Sequence, residues 1–133
     1  MASIDATCQI WAPRLLSVLR IIVGLLFIEH GTSKFFGFPS GGETGTVDLF
    51  SLIGLSGVLE LVGGVLLTLG LFSRITAFIL SGEMAFAYFI AHAPHSFFPL
   101  INHGEPAVFY CFMFLYIAAA GPGSWSIDAA QRR

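Results

Sequence analysis

The sequence predicts an all-α fold: an integral membrane four-helix bundle whose N- and C-termini are both cytoplasmic. Hydrophobic residues make up 56% of the 133 positions and charged residues 11%, against about 45–50% and about 25% in soluble domains. So few charges could not cover the surface of a soluble fold. Residues 1–133 have the length of a single transmembrane domain, and they contain four apolar segments that approach the roughly 20 residues needed to cross a bilayer.

The four predicted helices follow from apolar runs bounded by proline, glycine and serine. Their approximate ranges are 15–36, 47–69, 73–93 and 106–120. Pro13 just precedes the first helix, where the missing N–H of proline costs little. Residues 70–73 join the second and third helices as a short antiparallel hairpin. Pro94 ends the third helix, and a Gly-Pro-Gly sequence at 121–123 ends the fourth, which is the shortest.

Arginine positions predict the orientation, because basic residues favour the cytoplasmic side of a membrane. Four crossings place all the relevant arginines on one side, whereas three crossings would separate them. These residues are Arg14, Arg74, Arg132 and Arg133. The two termini and the 70–73 turn are therefore predicted to be cytoplasmic, and the segments 37–46 and 94–105 to face outward. The N-terminus carries the acidic Asp5 and no basic region, so no cleavable signal peptide is expected.

The charge and the cysteine content of the chain limit the kinds of partner and cofactor that it is expected to bind. A net charge of −2 and a single lysine, Lys34, argue against nucleic acid as a partner. Cys8 and Cys111 form no CxxC dithiol, zinc-ligand spacing or haem-attachment motif. The lipid bilayer is the predicted environment of the chain.

Charged residues inside the apolar runs are the strongest functional signal. A charge at the bilayer centre costs roughly 2.5–3.5 kcal/mol on insertion scales, so it usually faces the bundle interior and serves a function. Glu60 lies within the otherwise apolar run 58–67. Arg20 and Glu83 lie in the inner half of the membrane. We predict that they form a structural ion pair, since pairing lowers the cost of burying both charges.

The remaining polar residues are predicted to converge on the outer half of the bundle. A helix rises about 1.5 Å per residue, which places them at similar depths in the helices or in the loop above. They are His30, Lys34, Glu60, His92, Asn102, His103 and Glu105. Glu29 points about 100° away from His30, so it joins the cluster only if the first helix rotates or kinks. Small residues beside Glu60, such as Gly64, predict close packing of the second helix against a neighbour.

This cluster suits a quinone headgroup or a proton relay, because quinone carbonyls accept hydrogen bonds and their reduction needs a source of protons. The predicted catalytic residues are Glu60, His92 and His30. The predicted substrate-binding residues are Lys34, Asn102, Glu105 and His103. Three alternatives stay open: a metal site, haem ligation by His30 and His92, or a purely structural network. No metal is assigned, because the histidines and glutamates lack HxxxH and ExxH spacing.

Six motifs occur in order along the chain: EHGTSKFFG at 29–37, LELVGGVLLTLGLFSR at 59–74, YFIAH at 88–92, FFP at 97–99, NHGE at 102–105 and GPGSWSID at 121–128. Over about residues 14–128 they resemble the DoxX family of bacterial four-helix membrane proteins, which includes the membrane subunit of thiosulfate:quinone oxidoreductase. The resemblance implies a multi-pass protein of the bacterial cytoplasmic (inner) membrane that is associated with redox work. It also implies that the family's polar positions fall on His30, Lys34, Glu60, Arg74, His92, Asn102, Glu105 and Asp128.

The function predicted first is an inner-membrane redox component that binds quinone or relays its protons. A partner protein or a small sulfur reductant such as thiosulfate would donate the electrons. An alternative is a non-enzymatic accessory or assembly subunit of a larger membrane complex, and a third is a small-solute or proton permease. Whether the chain is itself an enzyme, and whether it forms a homo-oligomer, stay open.

Overall fold

Four long helices and two short ones form the regular structure of residues 3–42, 45 and 47–132, which the computed structural model describes; these residues contain no strand. The helices are α1 Ile4–Phe36, α2 Leu52–Leu69, α3 Ser73–Ala87, α4 Pro99–Asn102, α5 Glu105–Ala120 and α6 Ile127–Gln131. A π-helical turn, Tyr88–His92, continues α3. The all-α prediction is confirmed. The two ends of α5, and those of α3 taken together with its π-helical turn, agree with the predicted ranges to within one residue. The short helices α4 and α6 were not predicted.

Two predicted helix starts are wrong. Helix α1 begins at Ile4 and not near residue 15, because the Ser3 hydroxyl accepts a hydrogen bond from the Ala6 N–H at 3.1 Å and caps the helix there. Pro13 therefore lies inside the helix. Helix α2 begins at Leu52 and not near residue 47, because the Ser51 hydroxyl caps it.

The helices match the dimensions of a membrane. Three are long and apolar enough to cross one: α1, α2 and α3 with its π-helical turn. Helix α5 is apolar but shorter, with 16 residues, and packs along α3, while α1 packs along α2. Large apolar side chains cover the outer surface. A buried core joins the helix pairs, with Val23, Phe27, Leu67, Ala77, Leu80, Met84, Phe114 and Ile117.

Helices α1 and α2 approach each other at glycines. A Cβ atom added to Gly24 would lie 2.8 Å from the Gly64 carbonyl oxygen, and one added to Gly64 would lie 2.7 Å from the Gly24 carbonyl oxygen. Neither position has room for a larger residue. The predicted close packing through the small residues of α2 is confirmed.

The bundle has two distinct ends. We call the end that carries the α2–α3 turn and the segment 121–131 the turn end. We call the opposite end the loop end; it carries residues 37–42, 47–51 and 93–104. The first half of α1 meets the C-terminal segment at the turn end, where the Trp125 N–H donates to the Ser17 hydroxyl at 3.0 Å. Which end faces the cytoplasm stays a prediction. Glu43, Thr44 and Thr46 of the outer segment, and Arg133, lie outside the described residues.

Candidate functional site

A buried ion pair joins α1 to α2 in the half of the bundle nearer the loop end. The Lys34 ammonium donates to the two carboxylate oxygens of Glu60 at 2.8 and 2.7 Å and to the Ser56 hydroxyl at 2.9 Å. Lys34 is only 7% exposed and Glu60 only 3%. An ammonium group has three N–H donors, so these bonds use all of them. Beside this pair α2 carries Gly57, where an added Cβ atom would lie 2.8 Å from the Phe35 ring of α1 and 3.4 Å from the Lys34 side chain.

Glu83 of α3 extends the pair into a four-residue network. The Ser56 hydroxyl lies 2.8 Å from one carboxylate oxygen of Glu83 and 3.3 Å from one of Glu60. The second oxygen of Glu83, Oε2, is buried and has no hydrogen-bond partner. We call Lys34, Ser56, Glu60 and Glu83 the interior network. It brings two carboxyl groups to one ammonium group, so one acid lacks a cation of its own.

Arg20 does not pair with Glu83, so this prediction is wrong. Arg20 is fully buried at the turn end, where it donates only to backbone carbonyls. Its Nε donates to Pro122 at 2.8 Å, and its Nη atoms donate to Thr68 at 3.1 Å and to Leu67 and Trp125. Two of these carbonyls end α2, where the helix dipole favours a cation. Arg20 therefore anchors the C-terminal segment to α1 and α2.

Asp128 completes the same end by capping α3. Its carboxylate accepts hydrogen bonds from the Phe72 N–H at 2.9 Å and the Ser73 N–H at 2.8 Å. Burial acts to raise the pKa of Asp128, but the hydrogen bonds from Ser73 and Phe72 and the charge of Arg132 outweigh it, and the pKa lies below its ordinary value. The closing motif of the chain thus serves the fold.

A second polar cluster holds the segment that follows α3. The buried Asn102 amide donates to the Ser96 carbonyl at 2.6 Å and to the Tyr88 hydroxyl at 3.2 Å, and its oxygen accepts from the Gly104 N–H at 2.8 Å. His92 Nδ1 lies 3.0 Å from the Asn102 carbonyl. Because a carbonyl only accepts, Nδ1 is the donor of this hydrogen bond. The Asn102 side chain is occupied in holding the loop.

His30 lies outside both clusters, on the face between α1 and α5. It is exposed, and its ring centroid lies 5.9 Å from that of Phe27 and 6.3 Å from that of Tyr110. Neither His30 nor the Tyr110 hydroxyl makes a side-chain hydrogen bond to another described residue. Glu29 is also exposed and lies near enough to Tyr110 to act on it electrostatically. We call His30, Tyr110 and Glu29 the α1–α5 face.

The two remaining predicted residues, His103 and Glu105, are exposed at the loop end. His103 has a left-handed backbone, and Glu105 opens α5. The predicted outer cluster is therefore divided among the interior network, the Asn102 cluster, the α1–α5 face and this exposed pair. Ser56 was not predicted as a site residue. Ser56 could have been found, since it lies one helical turn from Glu60 on the same face.

The positions of metal-ligating side chains and surface clefts bear on which ligands the chain could hold. Among the described residues, no three His, Cys, Asp or Glu side chains come together as a metal site. A cleft of about 290 Å³ between α3 and α5 is lined by apolar side chains with Tyr88 and Cys111. A second, of about 190 Å³, lies between α2 and α3 and is lined almost wholly by aliphatic residues. Neither is lined by a member of the interior network.

The apolar surface and helix lengths define a small multi-pass membrane protein with a polar interior. The chain belongs to the DoxX family, whose family model matches residues 15–93. This match includes the whole interior network and His30. The protein is therefore a multi-pass protein of the bacterial inner membrane, as the sequence predicted.

Several relatives are similar to this chain. A Haemophilus influenzae protein, named as uncharacterized, is 46% identical over 124 residues, which cover 89% of this chain and 91% of the relative. The Escherichia coli inner membrane protein YqjF is 29% identical over 126 residues, covering 84% and 87% of the two chains. Bacillus subtilis CatD, whose name gives a provisional assignment as an oxidoreductase, is 42% identical over 65 residues, covering 44% and 45%. No solved structure matches the chain.

Proposed function

We propose that this protein is a redox-associated DoxX protein that binds a quinone headgroup at the α1–α5 face and exchanges protons with the interior network. The observation that carries the proposal is the interior network, since a packed helix interface does not need an ammonium and two carboxyl groups. The name of the relative CatD supports a redox role for the family. Electrons would come from a partner protein or from a small sulfur reductant.

The hydrogen-bond donors decide where a quinone fits. Lys34, predicted to bind it, has no free N–H, because Glu60 and Ser56 accept all three. His30 and Tyr110 have donors that no described residue uses. The rings of Phe27 and Tyr110 lie edge to face at 4.9 Å and could wall a flat headgroup. The α1–α5 face therefore fits a quinone better than the interior does.

The two sites are adjacent along α1. His30 and Lys34 are one helical turn apart on α1; His30 is exposed beside α5, and Lys34 is buried against α2. A bound quinone would supply a carrier of two electrons and two protons. His30 would hold one of its oxygens and pass protons at its ring nitrogen, and the interior network would replace them.

Binding of a quinone analogue to the detergent-purified protein tests the proposal. Wild type is compared with His30→Ala and Tyr110→Phe, and Tyr116→Phe is the matched control, since Tyr116 is an exposed tyrosine on the same helix. Loss of one hydrogen bond of about 1 kcal/mol weakens binding roughly five-fold. We expect that loss in each of the two variants and not in the control.

A wild type that binds no analogue would contradict the proposal. The accessory-subunit hypothesis would then gain, and it predicts that the protein co-purifies with one larger membrane complex. A permease would instead show solute or proton flux in liposomes without a redox partner.

A further inference from the structure

Glu83 is the acid of the interior network that no cation neutralises. Lys34 contacts both oxygens of Glu60, within 2.8 Å, and its remaining N–H goes to Ser56. Glu83 is bound only by the Ser56 hydroxyl, and its Oε2 is buried without a partner. A bare carboxylate oxygen in an apolar interior is costly, and a proton on the group removes the charge.

Ser56 connects the two acids through a single hydrogen. Its oxygen accepts from Lys34, and its O–H can donate either to Glu83 at 2.8 Å or to Glu60 at 3.3 Å. A hydroxyl has one hydrogen and two lone pairs, so only one of these donations is made at a time. The shorter distance favours Glu83 as its acceptor.

We propose that Glu83 carries an exchangeable proton and that the Ser56 hydroxyl passes it between Glu83 and Glu60. For the exchange, the Ser56 hydroxyl turns its hydrogen from Glu83 to Glu60, so that its oxygen can accept from the protonated Oε1 of Glu83. The proton on Glu83 then moves to the Ser56 oxygen while the Ser56 hydrogen moves to Glu60. One O–H bond breaks and one forms at Ser56, and no charge leaves the network. The proton's use in redox chemistry rests on the proposed function, whereas its presence does not.

The surroundings of Glu83 support this assignment. Helix α1 contributes Lys34 and helix α2 contributes Ser56 and Glu60, and these are the side chains that act on Glu83. Helix α5 contacts α3 near Glu83 at Cys111, whose carbonyl accepts a hydrogen bond from the Ser81 hydroxyl at 2.8 Å. Among the described residues, no second cation reaches Glu83.

Infrared difference spectroscopy tests the proposal on quinone-free protein at neutral pH. A buried protonated carboxyl group gives a C=O stretching band that shifts in D₂O. We expect this band in wild type and its loss in Glu83→Gln. Glu105→Gln is the matched control and should retain the band, because Glu105 is exposed at the loop end. Ser56→Ala should keep the band but move it to higher frequency, since the hydrogen bond to Glu83 is gone.

Superimposable spectra of wild type and Glu83→Gln would overturn the proposal. If Glu83→Gln does not fold, as judged by circular dichroism, the test rests on the frequency of the carboxyl band in Ser56→Ala. A band at the wild-type frequency in Ser56→Ala would then refute the assignment to Glu83. Because quinone is absent, failure here is separate from failure of the proposed function. If Glu83 is protonated and the protein binds no quinone analogue, this inference stands and the proposed redox role is contradicted.

Discussion

Replacement of Arg20 by methionine should destabilise the turn end. Arg20 is fully buried, and its guanidinium donates to the carbonyls of Pro122, Leu67, Thr68 and Trp125. Methionine retains much of the apolar stem but no donor. The variant therefore removes the hydrogen bonds that link α1 to the end of α2 and to the C-terminal segment, while it changes the side-chain volume little.

The size of the stability loss follows from the backbone carbonyls that Arg20→Met leaves without a donor. The Pro122 and Trp125 carbonyls lose the donor that Arg20 supplies, and a buried acceptor without a partner costs about 1–3 kcal/mol. Two such groups cost about 2–6 kcal/mol. Removing a buried charge returns part of its desolvation cost, so we expect a net loss of about 2–4 kcal/mol in the free energy of unfolding.

Unfolding in mixed detergent micelles, followed by circular dichroism, measures this loss. Arg20→Lys should fall between wild type and Arg20→Met, since an ammonium keeps the charge but has fewer donors than a guanidinium. Gln9→Ala is the exposed control on the same helix and should stay within about 0.5 kcal/mol of wild type. An Arg20→Met protein as stable as that control would refute the structural role of Arg20.

Three further changes test the helix contacts, the interior ion pair and the α3 cap. Gly64→Ala should cost about 1–3 kcal/mol of unfolding free energy, because its Cβ would lie 2.7 Å from a backbone oxygen of α1. Gly82→Ala, with open space around its Cβ, should not destabilise, and equal effects would contradict the packing argument. Lys34→Met should cost about 3–5 kcal/mol by leaving Glu60 unpaired, and adding Glu60→Leu should recover much of that; an unchanged double mutant would refute the coupling. The pKa of Asp128 is lowered on folding, so its contribution is present above its ordinary pKa of 3.8 and is lost as pH falls through the lower folded value. Thermal melts of Asp128→Asn should lack this acid-dependent step, and a step of unchanged size would assign it elsewhere.

The membrane fold could be predicted from the sequence because the lengths of the apolar runs give the number of long helices and their approximate positions. The ends of α3 and α5 were predictable for the same reason, since Pro94 and Gly121 interrupt the apolar runs. The starts of α1 and α2 could not be predicted in this way. They are set by the capping hydroxyl groups of Ser3 and Ser51, and hydrophobicity does not mark them. The first half-dozen residues of α1 carry no long apolar run to mark them as helical.

The site was predicted in part, because residue type and depth do not specify helix rotation. Lys34 and Glu60 were both placed in the outer cluster, and the structure joins them at 2.7 Å. Arg20 and Glu83 had opposite charges at similar expected depths, yet their partners differ. Arg20 binds backbone carbonyls up to 105 positions away along the chain, and no side-chain pattern encodes such acceptors. Glu83 instead faces α2, where Ser56 meets it.

The quinone content of protein purified from its native membrane tests the central claim most directly. Organic extraction and mass spectrometry would count quinone per chain in wild type and in His30→Ala, with circular dichroism confirming that both are folded. We predict bound quinone in wild type and its loss in His30→Ala. Wild type that carries no quinone, or a variant that carries as much as wild type, would contradict a quinone site at the α1–α5 face.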